Sequence, residues 1–333
     1  MEPHPFSKYV AILGRGKTKQ RHLTLEESRD AMAMLLRGEA EPEQIGAFLM
    51  LLRLKEEAPE EIAGFAMGTR DTFALPADLP QVDLDWSSYA GKRVQLNWYI
   101  LSALALVGAG YKVVMHGTEG HTPGRVYTSD VLSALGIPMA GSLEEAAGQV
   151  RASGFAYIPL QVMSPPLQHM INLRPILGLR SPVHSFTRML NPFNAPAVTV
   201  GIFHRGFMDI HAGAARIMGM QNFSVYRGDG GEAERRPNKP AQIWLTHGAD
   251  EPLVETWPAL IQGHAPKDEE MDISRLARVW SGDEADTYGE AATVGTIAVA
   301  LRTMGKAASV DAAEAMARDI WEARDRARIP ATG

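Results

Sequence analysis

Apolar residues recur at helical spacing through about the first seventy positions and then condense into short, separated runs. In "PEQIGAFLMLLRLK", Ile45, Phe48, Leu49 and Leu52 fall on one face of a helix. Pro42 suits the first turn of that helix, where a missing N–H costs nothing. Upstream, Thr24 and Glu27 have the spacing of a capping box, and Gly38 supplies the left-handed residue that closes a helix. Pro59 opens a third helix carrying Ile62, Phe65 and Ala66. Such stripes predict packing into a core or against a second copy of the chain. "LPADLPQ", 75–81, reads as a linker.

Beyond the linker, apolar runs at 112–115, 156–160, 197–203, 223–227 and 242–245 predict buried strands. Helical stretches at 94–108, 126–136 and 205–219 lie between several of them. That alternation predicts a mostly parallel sheet covered on both faces. Ligands of such sheets gather at the carboxyl ends of the strands. The stretch "VVMHGTEGHTPGR", 113–125, would sit at one of those ends, as an anion-holding turn or as a plain strand-to-helix connection.

Composition narrows the function classes. The 333 residues can form one large domain or two ordinary ones. A formal net charge of −6 argues against an overall basic nucleic-acid binder but leaves room for a local basic patch. The absence of cysteine excludes disulfides, thiolate metal sites and a Cys nucleophile. No apolar run is long enough to span a bilayer, and "MEPHPFSKYV" lacks the order of a secretory signal, so a cytoplasmic protein is expected.

The run "LTLEESRDAMAMLLRGEAEPEQIGAFLMLLRLKEEAPEEIAGF" closely resembles the N-terminal helical domain of the anthranilate phosphoribosyltransferase family, glycosyltransferase family 3. The likeness continues through "VVMHG", "SDVLSALGI", "NLRPILGLRS" and "MLNPFNAPAVTVGIF". It implies an α/β fold with a small helical domain, 1–75 completed by about 165–190. The larger α/β domain then comprises 76–164 and 191–333, with a mostly parallel central sheet of the phosphoribosyltransferase and nucleoside phosphorylase type. It also implies a homodimer through the helical domain, and magnesium as cofactor if the chain is an enzyme.

Residue by residue, the family's chemistry is thinned. Its Gly-Thr-Gly-Gly-Asp loop, whose glycine amides approach a pyrophosphate, corresponds to "WSSYAG", 86–91, with Trp86, Ser88, Tyr89 and Ala90 replacing glycines and the aspartate. The Asn-x-Ser-Thr run becomes "NWYI": Asn97 matches and Tyr99 and Ile100 do not. In "MHGT", His116 and Gly117 remain; Arg125 stands where the family has a phosphate-facing lysine. The paired Asp-Glu for magnesium becomes Ala233 and Glu234, with Asp229 and Glu232 out of register. Arg174 matches the arginine that meets the carboxylate of anthranilate. The resemblance thus points to Ser87, Ser88, Gly91, Asn97, His116, Gly117 and Arg125 at an anion end, Arg174 at an acceptor end, and Glu234 as the remaining metal ligand. Three of these have ordinary alternatives: a structural imidazole for His116, a helix-surface or interdomain ion pair for Arg174, and a solvated loop carboxylate for Glu234.

Removing one hydrogen-bond donor to a developing charge typically costs about 10²–10³ in rate, so several losses together predict that the usual anthranilate reaction fails. "GRGKTKQRHLT" and "SSYAGKR" resemble a divergent branch of the family linked to nucleic-acid binding. Arg15, Lys17 and Lys19, Lys92 with Arg93, and Arg235 with Arg236 would then track phosphates. Two readings stay open: a phosphoribosyl or glycosyl transferase of altered range acting on a phosphorylated sugar, and a non-catalytic nucleic-acid binder using the interdomain cleft.

Overall fold

A computed structural model describes residues 2–16, 18–268 and 270–332. The N-terminal part is helical: α1 (Ser7–Gly14), α2 (Leu25–Leu36), α3 (Pro42–Lys55) and α4 (Pro59–Arg70). The capping box forms as its spacing predicts. Glu27 N donates to Thr24 Oγ1 at 3.2 Å, and Thr24 N donates to Glu27 Oε2 at 2.9 Å. Pro42 and Pro59 stand in the first turns of their helices, and Gly38 takes a φ of +72° after α2. Phe48, Leu49 and Leu52 are buried, with Phe48 edge-on to both Phe6 and Phe65.

The rest alternates strand and helix. In chain order it runs β1 (Leu84–Ser88), α5 (Trp98–Gly108), β2 (Val113–Gly117), α6 (Thr128–Ala134), α7 (Leu143–Ser153) and β3 (Phe155–Pro159). Four short helices follow: α8 (Leu160–Met163), α9 (Pro165–Asn172), α10 (Arg174–Leu177) and α11 (Val183–Phe186). After them come β4 (Ala197–Ile202), α12 (Phe207–Ile217), β5 (Asn222–Arg227), β6 (Ala241–His247), β7 (Leu253–Trp257), α13 (Ser274–Ser281), α14 (Thr287–Thr303) and α15 (Val310–Glu322). The seven strands form one sheet in the order β3-β2-β1-β4-β5-β6-β7, parallel except for β6 and β7.

Strand side chains alternate between two cores, as the pleat requires. Val114, Ile158, Val198 and Val200 face a core shared with α7, α12 and the helical part, while Val113, Met115, Trp86 and Leu84 face a core shared with α5, α14 and α15. Two strands lie outside the apolar runs of the sequence. β1 carries Asp85, Ser87 and Ser88, and β7 is an edge with Leu253 and Val254 exposed. β1 corrects one expectation: Trp86 belongs to a strand and packs into the sheet core, so it does not fill an anion loop.

Glycine sets the closest helix contact. A Cβ on Gly64 would lie 2.5 Å from Leu25 O and from Ser28 Cβ, and one on Gly68 would lie 2.6 Å from Arg29 O. α4 therefore meets α2 backbone to backbone. Gly64→Ala is expected to lower stability by about 1–3 kcal/mol through overpacking; denaturant unfolding checks this, and a variant as stable as the parent would contradict the contact.

Candidate functional site

The carboxyl ends of β1 and β2 lead into Tyr89–Gly91 and Thr118–Arg125. The turn after β5 holds Asp229, Glu232 and Glu234. Glu232 is wholly buried, and its Oε1 accepts from Ala90 N at 2.6 Å and from Gly91 N at 2.5 Å. The loop at 89–91, which the resemblance leads one to expect at a pyrophosphate, presents two amides, and both are bound to a carboxylate of the same chain. Glu234 takes a second anion position. Its Oε2 accepts from Tyr99 N at 2.9 Å, in the first turn of α5, and its Oε1 accepts from Lys92 Nζ at 2.5 Å. A carboxylate at a helix N-terminus satisfies free amides and the dipole together. Lys92 Nζ also bonds Asp229.

Close backbone approach makes this possible. A Cβ on Gly201 would lie 2.1 Å from Glu232 C, and one on Gly228 would lie within 1.5 Å of Glu232 O. Arg125 Nη1 donates to Ala90 O and Gly91 O at 2.9 Å each, and Arg188 Nη1 donates to Gly201 O at 2.9 Å and Gly231 O at 3.1 Å. Both arginines therefore clamp the loops around the buried acids. Burial pushes the Glu234 carboxyl up to about 7 against the pull of Lys92. Burial also opposes the Lys92 charge, but Glu234 and Asp229 outweigh it and hold the ammonium above the ordinary lysine range. The ammonium stays charged between its two acids.

The other residues of the expected anion end are turned into the fold. Ser88 Oγ bonds Tyr99 OH at 3.2 Å and Thr128 Oγ1 at 2.7 Å, and Asn97 Nδ2 donates to Tyr99 OH at 2.9 Å. Ser87 is buried in β1 with its Oγ unpartnered. His116 is a buried bridge, Nδ1 to Tyr89 OH at 2.7 Å and Nε2 to Asp85 Oδ1 at 3.2 Å. A Cβ on Gly117 would lie 2.0 Å from Ser88 O, so β2 meets β1 closely at this glycine. Arg174 Nη1 donates to His121 O and Thr122 Oγ1, each at 2.8 Å, rather than forming an ion pair.

The basic clusters divide. Arg15, Lys19 and Arg93 are exposed, Arg236 is half-buried, and Lys17 lies outside the described residues. Lys92 and Arg235 correct the expectation of a surface role. Lys92 is buried among carboxylates, and Arg235 is buried with Nη1 on Glu314 Oε1 at 2.8 Å and its guanidinium over Trp257. Neither reaches a nucleic-acid backbone.

Sequence reasoning missed Arg180, His184 and Arg188: the His184 ring packs edge-on to His121, Arg180 and Arg174 share Thr122 Oγ1, and Arg188 lies close enough to lower the proton affinity of Arg180. Their signal was present: in "RSPVHSFTR" three basic residues stand four apart, the spacing of one helical face.

Comparisons with known proteins agree with this architecture. Residues 9–73 match the glycosyl transferase family, helical bundle domain, and residues 84–322 match the glycosyl transferase family, a/b domain. Anthranilate phosphoribosyltransferase of Solibacter usitatus is 28% identical over 84% of this chain and 91% of its own length. That of Clavibacter sepedonicus is 32% identical over 69% of this chain and 65% of its own length. Among solved structures, anthranilate phosphoribosyltransferase of Thermus thermophilus superposes with a TM-score of 0.77 at 21% identity, covering 96% of this chain and 94% of that one. The Saccharomyces cerevisiae protein in complex with PRPP and Mg superposes with a TM-score of 0.78 at 16% identity, covering 96% and 94%. The chain belongs to this glycosyl transferase family, with its helical bundle and α/β parts in the family's order, and it resembles anthranilate phosphoribosyltransferase. Among the described residues, no helix is long and apolar enough to cross a membrane.

Lys92→Met leaves Glu234 buried without its cation, which typically costs about 3–5 kcal/mol. Unfolding measurements should show that loss, with partial recovery in Lys92→Met/Glu234→Gln; a single variant of parental stability would contradict the pair.

Proposed function

We propose that this protein keeps the family's fold and interdomain cleft but not its magnesium–PRPP grip, and that it works as an anion-binding protein rather than as an anthranilate phosphoribosyltransferase. The observation that carries this is the Glu232 carboxylate on the Ala90 and Gly91 amides, at 2.6 and 2.5 Å. An internal carboxylate on these donors competes with any incoming diphosphate. Displacing it would strand a buried charge, at a cost of several kcal/mol.

Magnesium is the cofactor that family membership implies, and the donor set here does not fit it. The ion demands near-octahedral oxygen ligands. Asp229 and Glu234 both turn to the Lys92 ammonium, which stands in the cation's role, while Glu232 Oε1 is taken by two amides. Glu234 therefore acts as a counter-ion to Lys92. In this reading Ser88, Asn97, His116 and Gly117 support the loops. Arg125, as a loop clamp, and Arg174, as a cleft cation, are what remains of the two ligand ends.

The nucleic-acid groove is the weaker reading, because burial removes Lys92 and Arg235 from it. Calorimetric titration of the full chain with PRPP and magnesium tests the favoured one. No magnesium-dependent binding of PRPP is expected, and magnesium-dependent saturable binding followed by phosphoribosyl transfer to anthranilate would end it.

Association through the helical part is the second element of the proposal. Leu54 on α3 and Ile176 on α10 are each 80% exposed, and a second copy of the chain would cover them. Ile176→Asp is then expected to shift sedimentation from dimer to monomer, and a parent that sediments as a monomer would refute it.

A further inference from the structure

A small cavity lies between α3 of the helical part, the 180–188 segment and the carboxyl end of β4. It measures about 130 Å³ and is lined by Arg53, Arg180, Ser181, His184, Arg188 and His204, among others. Whole small-molecule sites run about 300–1,000 Å³, so this cavity suits a single functional group.

Its charge is one-sided. Among the described residues, Arg53, Arg180 and Arg188 form no ion pair, nor do the neighbouring Arg125 and Arg174. Glu57 acts on Arg53 and Glu232 on Arg188 only through the field, and Glu232 is already held by two amides. Arg188 uses Nε on His184 O and Nη1 on Gly201 O and Gly231 O, which leaves Nη2 without a protein acceptor. Arg180 uses only Nη2, on Thr122 Oγ1. Ser181 Oγ is buried and unpartnered. These are donors that call for an oxyanion.

His184 adds the opposite demand. It is 8% exposed, and its Nδ1 bonds Ser181 O at 3.3 Å, so Nδ1 carries the proton. Burial, with His121 and Arg180 nearby, pushes this imidazole well below the ordinary histidine range and keeps it neutral. Among the described residues, its Nε2 is then a buried lone pair with no partner. The complementary ligand is an oxyanion that also brings one donor. Protonated phosphate does this through P–OH, whereas sulfate and carboxylate at neutral pH do not.

We propose that this cavity, with His184 and Arg188 buried and Arg53, Arg180 and His204 beside them, binds a singly protonated phosphoryl group, as inorganic phosphate or a phosphate monoester. This site does not depend on the closed pyrophosphate grip and would stand if that grip opened.

The test is calorimetric titration of the full chain with inorganic phosphate and, at equal ionic strength, with sulfate. Phosphate is expected to bind saturably, with sulfate about tenfold weaker or more, because it leaves a buried acceptor unmatched. Addition of phosphate should shift the His184 Nε2 resonance. Arg180→Gln is expected to weaken phosphate binding about tenfold through loss of a charge-assisted bond; Arg53→Gln, at an exposed position that cannot threaten the fold, should weaken it as well. Ribose 5-phosphate displacing phosphate would support a monoester as the ligand, and phosphate binding without displacement would support the free ion. No saturable phosphate binding, equal affinity for sulfate, or unchanged affinity in both arginine variants would overturn the assignment.

Discussion

A carboxylate taken out of water must be given donors or a counter-charge, and most of the site's architecture answers that requirement for Glu232 and Glu234. Both side chains are fully buried. Glu232 receives the amides of Ala90 and Gly91, and Glu234 receives the amide of Tyr99 and the ammonium of Lys92. The glycines at 201 and 228 exist in this light as clearance, since a methyl at either would collide with the Glu232 peptide. Arg125 then fastens its own loop to the carbonyls of Ala90 and Gly91, and Arg188 fastens the turn after β5 to the end of β4. An anion-binding cradle has been completed from within the chain.

Two electrostatic regions follow within one cleft. On one side, acids and a lysine neutralise each other in a dry interior. On the other, guanidiniums and imidazoles gather with no acid paired to them among the described residues, and burial and mutual repulsion together lower the proton affinity of Arg180 and His184. The first region is closed by its own contacts. The second holds unsatisfied donors and one unsatisfied acceptor, which is the condition under which an external ligand contributes most.

Much of the fold was legible because its signals are local. The Thr24–Glu27 cap, the prolines at 42 and 59 and the apolar runs of β2 to β6 are short-range features of the sequence. β1 was not, because Asp85, Ser87 and Ser88 are polar residues buried by neighbours far along the chain. The site was legible only in outline. Family likeness pointed to the loop at 89–91, yet nothing local shows that Glu232, more than a hundred residues on, would bond its amides. Lys92 reads like any surface lysine until its burial is known. The basic residues at 180, 184 and 188 had a visible helical period that composition alone does not turn into a site.

The central claim is that the chain's own carboxylate occupies the cradle. A crystal structure determined in saturating PRPP and magnesium tests it most directly. Glu232 is expected to stay on the Ala90 and Gly91 amides, with Lys92 still between Asp229 and Glu234. A diphosphate seated on those amides, with the glutamate displaced and a metal bridging it to the acids, would contradict the account.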